Sequence, residues 1–379
     1  MPRPLPDPAP AGNARGTLRR PVNALEARLR SVLGPRLMDS PWLRRLGRIS
    51  FLGTLDLHPR SARRPTRLEH SQGVAALGLQ VAQDLALSPE AARVLVAACL
   101  LHDIGHYPLS HAAEPGFARA LGVDHHAISR WLILGDGPIP AARTLRPDLE
   151  AVGIDPEATW RLIHGEAGDP ALAALQELLR APINLDTLDG IVRAARAFRV
   201  PGLRLPPRLF AADAGRLWIR AEAIPALDRF WALKDRIYGD VINLPSNIIC
   251  EAALAAAVEA RFDASIFEHL EAFDDRALAH IVDEQARASG LREGRDRRFR
   301  FMAQSAGHII LRRARKRYFI DPSVDPDELG LPFEAWGRRY RHERQVLALV
   351  PRTTQIQLSL PGLGDAVPGE TPTLEGPEL

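Results

Sequence analysis

The sequence predicts a mainly α fold with a smaller C-terminal α+β portion. Three observations carry that expectation. Apolar residues recur at helical spacing through most of the first 289 positions, one nearly unbroken apolar run ends in a His-Asp doublet, and strand-like stretches are few before position 290. With 379 residues, 46% of them hydrophobic and 25% charged, the chain can bury a large core and is too apolar for wholesale disorder.

Residues 1–24 are rich in Pro, Ala, Gly and Arg without periodicity, and read as a flexible arm. From Val22 to Leu57 the helical spacing of Leu25, Leu29, Val32, Leu43, Leu46 and Ile49, punctuated by Pro35 and Pro41, predicts two short helices. His70 opens a helix whose stripe is Val74, Leu77, Val81 and Leu85. Ser88-Pro89-Glu90 then supplies a cap, an N1 proline and an early acid for the run from Ala91 to Asp103, which reads as a helix buried on all sides and closed by Gly105. Further helical patterns cover 125–134, 171–179, 185–198, 224–242, 248–261 and 276–289, and GRLWIR at 215–220 is the strand signal. The helical domain is thus expected over 25–289. From 290 to 350 arginine clusters alternate with aromatics, and HIILRR and RYFI read as short strands of an α+β subdomain. Residues 351–379, rich in Pro, Gly and Thr, read as a disordered tail.

No window approaches the roughly 18 uncharged apolar residues of a membrane span, and the N-terminal charges precede no apolar leader core, so a cytoplasmic chain is expected. Cys99 and Cys250, the only cysteines, sit in apolar helical patterns, which favours buried thiols over disulfides or thiolate metal sites. The net charge of +3 comes from a chain whose only lysines are Lys234 and Lys316, and by itself predicts no nucleic-acid partner.

The sharpest chemical signal is LLHDIGHYPLSH at 100–111. A His-Asp doublet ending a buried helix is costly unless something satisfies it, and an imidazole beside an ionised carboxylate suits a divalent cation. His70 in RLEHSQGV and Asp186 in NLDTLDGIVRAAR are two further donors flanked by apolar residues, and His106 and His111 would line the mouth of such a site.

This order of His, His-Asp and Asp, in those three texts, resembles the HD-domain metal-dependent phosphohydrolases, and most of all the branch holding deoxynucleoside triphosphate triphosphohydrolases. The likeness implies an HD-domain helical hydrolase fold and one metal, manganese, iron or magnesium, held by His70, His102, Asp103 and Asp186. It implies that His125 in VDHHAISRWL is a general acid or base oriented by Glu114, and that Arg67, His106, His111 and Arg193 contact substrate. His126 reads as exposed, and His164 has no counterpart. The substrate expected is a nucleotide or related phosphate ester or anhydride, and the likeness suggests a homo-oligomer.

The resemblance breaks after the metal aspartate. The branch continues with a basic residue, a tyrosine and an arginine-aspartate pair, whereas this chain has Thr187, Gly190 and Arg193 with Ala194. Ile242 and Leu244 stand where the branch frames the nucleoside with a tyrosine and a histidine. The expectation is retained metal chemistry with an altered pocket.

Arginines at 292–301 and 311–318 beside Phe299, Phe301, Tyr318 and Phe319 read first as a solvated basic face, with a nucleotide-binding regulatory site as the alternative. QLSLPGL at 357–363 resembles the peptide by which bacterial replication and repair proteins dock on the DNA sliding clamp, with Gln357 as anchor and Leu358, Leu360 and Leu363 filling a groove. A metal-dependent phosphohydrolase is the first functional expectation. A non-catalytic nucleotide sensor or clamp-associated regulator on the same fold is the second.

Overall fold

Helix α3 (Arg67–Asp84) and helix α4 (Pro89–Leu101) form the centre of the structure, a computed structural model. It describes residues 24–278, apart from 59, 166–169, 182–183, 207, 214–215, 244–246, 248–250, 252–253 and 256–257, together with the backbone of strands at 308–320, 330–332 and 340–351. Every residue of α4 from Val94 to Leu101 is buried, as an almost wholly apolar sequence requires. The two helices approach so closely that a Cβ on Gly78 would lie 2.7 Å from Cys99 Sγ, and burial pushes the Cys99 thiol pKa up.

The other helices surround this pair: α1 (Ala24–Met38), α2 (Pro41–Leu46), α5 (Glu114–Leu121), α6 (His125–Leu134), α7 (Arg146–Ala151), α8 (Pro156–His164), α9 (Pro170–Arg180), α10 (Leu185–Ala197) and α11 (Ile224–Ile237). Gly34, at φ 79°, and Pro35 kink α1. The α4 cap is as expected, with Ser88 Oγ accepting from Ala91 N at 3.2 Å.

Several boundaries differ from the expectation. Helix α3 starts at Arg67, not His70, because Thr66 and Glu69 form a capping box: Glu69 N donates to Thr66 Oγ1 at 3.2 Å and Thr66 N to Glu69 Oε2 at 3.1 Å. Such a cap stabilises a helix by about 1 kcal/mol, and here it places Arg67 and His70 one turn apart on α3. Helix α8 was not expected, although Asp155-Pro156-Glu157 repeats the cap, proline and acid order seen before α4. The pattern at 224–242 divides into α11 and a π-helical turn at Tyr238–Ile242.

A strand that sequence reading missed, β1 (Phe210–Asp213), pairs antiparallel with β2 (Arg216–Arg220), and β2 also pairs with β4 (Gly330–Pro332). HIILRR and RYFI are not separate strands but one, β3 (His308–Ile320), bulged between Ile310 and Arg312 and antiparallel to β5 (Tyr340–Pro351). The architecture is therefore mainly α. Residues 1–23 of the expected arm, the cluster at 292–301, Cys250, Leu244 and the tail with Gln357, Leu358, Leu360 and Leu363 lie outside the described residues. No helix among the described residues is long and apolar enough to cross a membrane.

Candidate metal and phosphate site

The His-Asp doublet sits at the C-terminal end of α4, where His102 is the C-cap. His102 Nδ1 donates to the Cys99 carbonyl at 2.9 Å, which leaves Nε2 as the ring's lone-pair atom. From α3, His70 is fully buried, and its Nδ1 donates to Asp189 Oδ2 at 2.7 Å, which fixes the same tautomer. Both Nε2 atoms are buried without a hydrogen-bond partner. They converge on two carboxylates. Asp186, in the first turn of α10, places Oδ1 at 2.9 Å from His70 Nε2 and 3.8 Å from His102 Nε2. Asp103 Oδ2 lies 3.6 and 3.4 Å from the same two nitrogens.

Lone pairs facing lone pairs at these separations repel unless a cation lies among them. The 2.9–3.8 Å spacing matches the edge of a polyhedron whose metal–ligand bonds are about 2.0–2.2 Å. His70, His102, Asp103 and Asp186 thus fit a divalent cation by donor type, tautomer and spacing. The same field acts on protons. Burial would lower His102, but Asp103 and Asp186 raise it to about 9. Burial would raise Asp103, but His102, Arg67 and His106 hold it well below the usual carboxylate range.

Asp189 is the functional residue that sequence reading missed. Its carboxylate receives His70 Nδ1–H and is gripped by Arg193, with Nε to Oδ2 at 2.8 Å and Nη2 to Oδ1 at 3.0 Å. Arg193 Nη2 also donates to the Glu69 carbonyl at 2.8 Å, and Arg193 does not line the cavity described below. The expected substrate contact therefore becomes a support for Asp189. Gly73 makes room for this carboxylate, since a Cβ there would lie 2.0 Å from Asp189 Oδ1. The signal was available as Asp-x-x-Asp, which places Asp186 and Asp189 on one face of α10.

A second group of titratable side chains adjoins the first. Glu114, at the start of α5, accepts from His111 Nδ1 through Oε2 at 3.0 Å and from His125 Nδ1 through Oε1. The His125 backbone N–H also donates to Oε1, at 3.1 Å. Burial would raise Glu114, but hydrogen bonds from His111 and His125 hold it well below the usual range. His125 Nε2 is thus left uncommitted to Glu114. Asp124 caps α6 by accepting from Ala127 N at 2.8 Å, which makes His125 the first residue of that helix. A Cβ on Gly105 would lie 2.2 Å from the His125 carbonyl, so the turn after the doublet requires glycine to approach α6.

His106 is fully buried, stacks on His125 at 4.0 Å between ring centroids, and stands 3.2 Å from Asp103 Oδ1. It is not on the cavity wall, so its expected substrate contact is replaced by a platform beneath His125. Arg67 is buried and does reach the wall. It donates through Nη1 to Asp103 and through Nε to Ser110 Oγ at 2.8 Å. His111 also reaches the wall, and so does His126, whose ring lies 3.9 Å from that of His125. His164 stacks on Trp160 instead.

These groups open onto one cavity of about 420 Å³. Its metal side carries His102, Asp103, Asp186, Arg67 and His125. The rest of its lining includes Ile163, Leu179, Ile191, Ala194 and Ile242 with Thr187 and Gly190, the last beside His70 and Asp186, so described positions at which the sequence departs from the triphosphohydrolase branch do face the cavity.

Residues 67–135 match the family model of the HD domain. The chain is 41% identical over 90 residues to a deoxyguanosinetriphosphate triphosphohydrolase-like protein of Bifidobacterium longum, covering 23% of this chain and 17% of that protein. It is 30% identical over 165 residues to an uncharacterized protein of Mycoplasma pneumoniae, covering 41% of this chain and 37% of that one. The chain thus spans well under half the length of these curated relatives. A solved structure of a phosphohydrolase from Bacteroides thetaiotaomicron is similar with a TM-score of 0.55 at 20% identity, over 66% of this chain and 67% of that one, a likeness of fold.

Proposed function

We propose that this chain, whose residues 67–135 match the HD-domain family model, is a metal-dependent phosphohydrolase acting on a nucleotide or related phosphate ester or anhydride. One observation carries the reading. Two buried, unpartnered imidazole nitrogens converge with two carboxylates on one side of a cavity that a carboxylate-oriented histidine also reaches.

His70, His102, Asp103 and Asp186 would hold manganese, iron or magnesium, and the cation when bound polarises phosphoryl oxygens and eases deprotonation of water. Arg67, whose Nε and Nη1 are taken by Ser110 and Asp103, presents Nη2 to the remaining phosphate oxygens, and His111 lines the same wall. His125, its Nδ1–H committed to Glu114, offers Nε2 to take a proton from attacking water or give one to the leaving oxygen. His106 supports that ring from behind by stacking. The apolar wall holds the body of the substrate and excludes water.

Phosphate, pyrophosphate and triphosphate release from a nucleotide panel, with manganese, magnesium, iron or chelator, tests the reading for wild type beside Asp103→Ala. Turnover is expected to need the metal and to fall at least about a hundredfold in the variant. Turnover that survives both chelation and the substitution would contradict it. Tight nucleotide binding with no turnover under any metal would favour the sensor instead.

A further inference from the structure

We propose that the preferred substrate of this site is a phosphate monoester with an apolar body, cleaved to inorganic phosphate and an alcohol, and not a nucleoside triphosphate. The inference rests on the phosphohydrolase reading and adds the substrate class.

Charge carries the first half of the argument. Among the described residues of the cavity wall, Arg67 is the one side chain with a permanent positive charge, against the carboxylates of Asp103, Asp186 and Glu251. A divalent cation at His70, His102, Asp103 and Asp186 brings that wall to neutrality. The remaining basic groups on the wall, His102, His111, His125 and His126, are imidazoles. Lys234 acts on Asp186 from α11 but is not on the wall, and counting it as fully charged adds a single charge. A monoester carries about −1.5 to −2 at pH 7, and a triphosphate tail roughly twice that. With the cation bound, the described charges of the wall sum to between zero and one positive, closer to the demand of a monoester than to that of a triphosphate tail.

The arginines themselves point the same way. Arg193 is held away from the cavity by Asp189 and the Glu69 carbonyl, and Arg67 is already paired with Asp103 and Ser110. No second guanidinium on the described wall is left to reach along a polyphosphate.

The apolar part of the lining carries the second half. Asn184 lines the cavity, yet its Oδ1 caps α10 by accepting from Thr187 N at 2.7 Å and its Nδ2 donates to the Leu179 carbonyl at 2.9 Å. Glu251 accepts from Asn247 Nδ2 at 2.9 Å, and Asn247 in turn accepts from Thr54 at 2.8 Å. With Asn184 and Glu251 engaged, Ile163, Leu179, Ile191 and Ile242 offer the substrate body apolar contact, beside the hydroxyls of Thr187 and Tyr238. In the reaction, a water oxygen bonds to phosphorus as the ester P–O bond breaks. The leaving oxygen gains a proton by way of His125, and no other reactant is needed.

The test compares kcat/KM of the full-length protein with manganese on 2-phenylethyl phosphate, glycerol 3-phosphate, deoxyguanosine monophosphate and deoxyguanosine triphosphate, identifying each phosphorus product. The expected order has the monophosphate at least tenfold above its own triphosphate and 2-phenylethyl phosphate at least tenfold above glycerol phosphate, with inorganic phosphate as product. Glu251→Gln should raise the triphosphate relative to the monophosphate about fivefold. Metal-dependent turnover that favours the triphosphate, or releases inorganic triphosphate, overturns this inference while leaving the phosphohydrolase reading intact. No turnover of any ester or anhydride, with Asp103→Ala indistinguishable from wild type in manganese calorimetry, overturns the phosphohydrolase reading and this inference with it.

Discussion

Two clusters of histidines and carboxylates stand side by side in this protein, and their hydrogen bonds run differently. In the first, His70 and His102 direct their Nδ1–H groups outward, to Asp189 and the Cys99 carbonyl, and leave both Nε2 lone pairs facing Asp103 and Asp186. In the second, the one carboxylate, Glu114, already accepts from His111 and His125, one on each oxygen. The first cluster has an excess of acceptors and so calls for a cation. The second has its acceptors satisfied, which suits the proton relay proposed for it. The lesson is that residue type alone does not separate a metal centre from a relay; the destination of each Nδ1–H does.

The contrast can be broken at its sharpest point with Glu114→Gln. If Glu114 orients the relay, kcat falls by about 10²–10⁴ while manganese affinity, measured by calorimetry, stays within about twofold of wild type. A parallel fall in affinity would merge the clusters into one.

Asp189→Asn probes the other side. Weakening the partner of His70 Nδ1 should lower manganese affinity by about 10–100-fold, with loss of activity recovered at high metal. An Asp189→Asn protein that binds manganese as wild type does would remove Asp189 from the account.

The smallest effect concerns the loop that carries His111. Asp275 accepts from Ser50 N at 2.8 Å and Leu109 N at 2.7 Å, and burial pushes its pKa up to about 6, while burial takes Asp56 to about 7. Both folded values lie above the ordinary carboxylate range, so the folded state binds the extra proton. Stability from these groups is fully present below about pH 4 and declines as pH rises through about 6 and then 7. Thermal melts should therefore show a shallower decline between pH 4 and 7 in Asp275→Asn than in wild type, from a lower starting point because one acceptor is lost. An unchanged slope would place the pH response elsewhere.

Much of the metal side was legible in the sequence because its elements are local. The Ser88-Pro89-Glu90 start, the apolar run and the doublet lie within one helix and its end. Thr66 and Glu69 also spell a start, and reading it would have moved α3 to Arg67. What was not legible depends on long-range packing. Arg193 looked like a phosphate ligand until Asp189 claimed it, and His106 looked like a lining residue until its ring was found beneath His125. His126 read as merely exposed and is exposed, but onto the cavity. Ile163 and Leu179 reach the same cavity from α8 and α9, which no spacing rule connects to α10. The strand β3 was split in two because the arginine-rich centre between its apolar ends hides the alternation.

The central claim is that the cation belongs to the first cluster and not the second. Crystals grown with manganese, with anomalous diffraction recorded at its absorption edge, locate the ion directly. The account predicts one peak bonded to His70 Nε2, His102 Nε2, Asp103 and Asp186. A peak among His106, His111, Glu114 and His125 with nothing at the first cluster would contradict it.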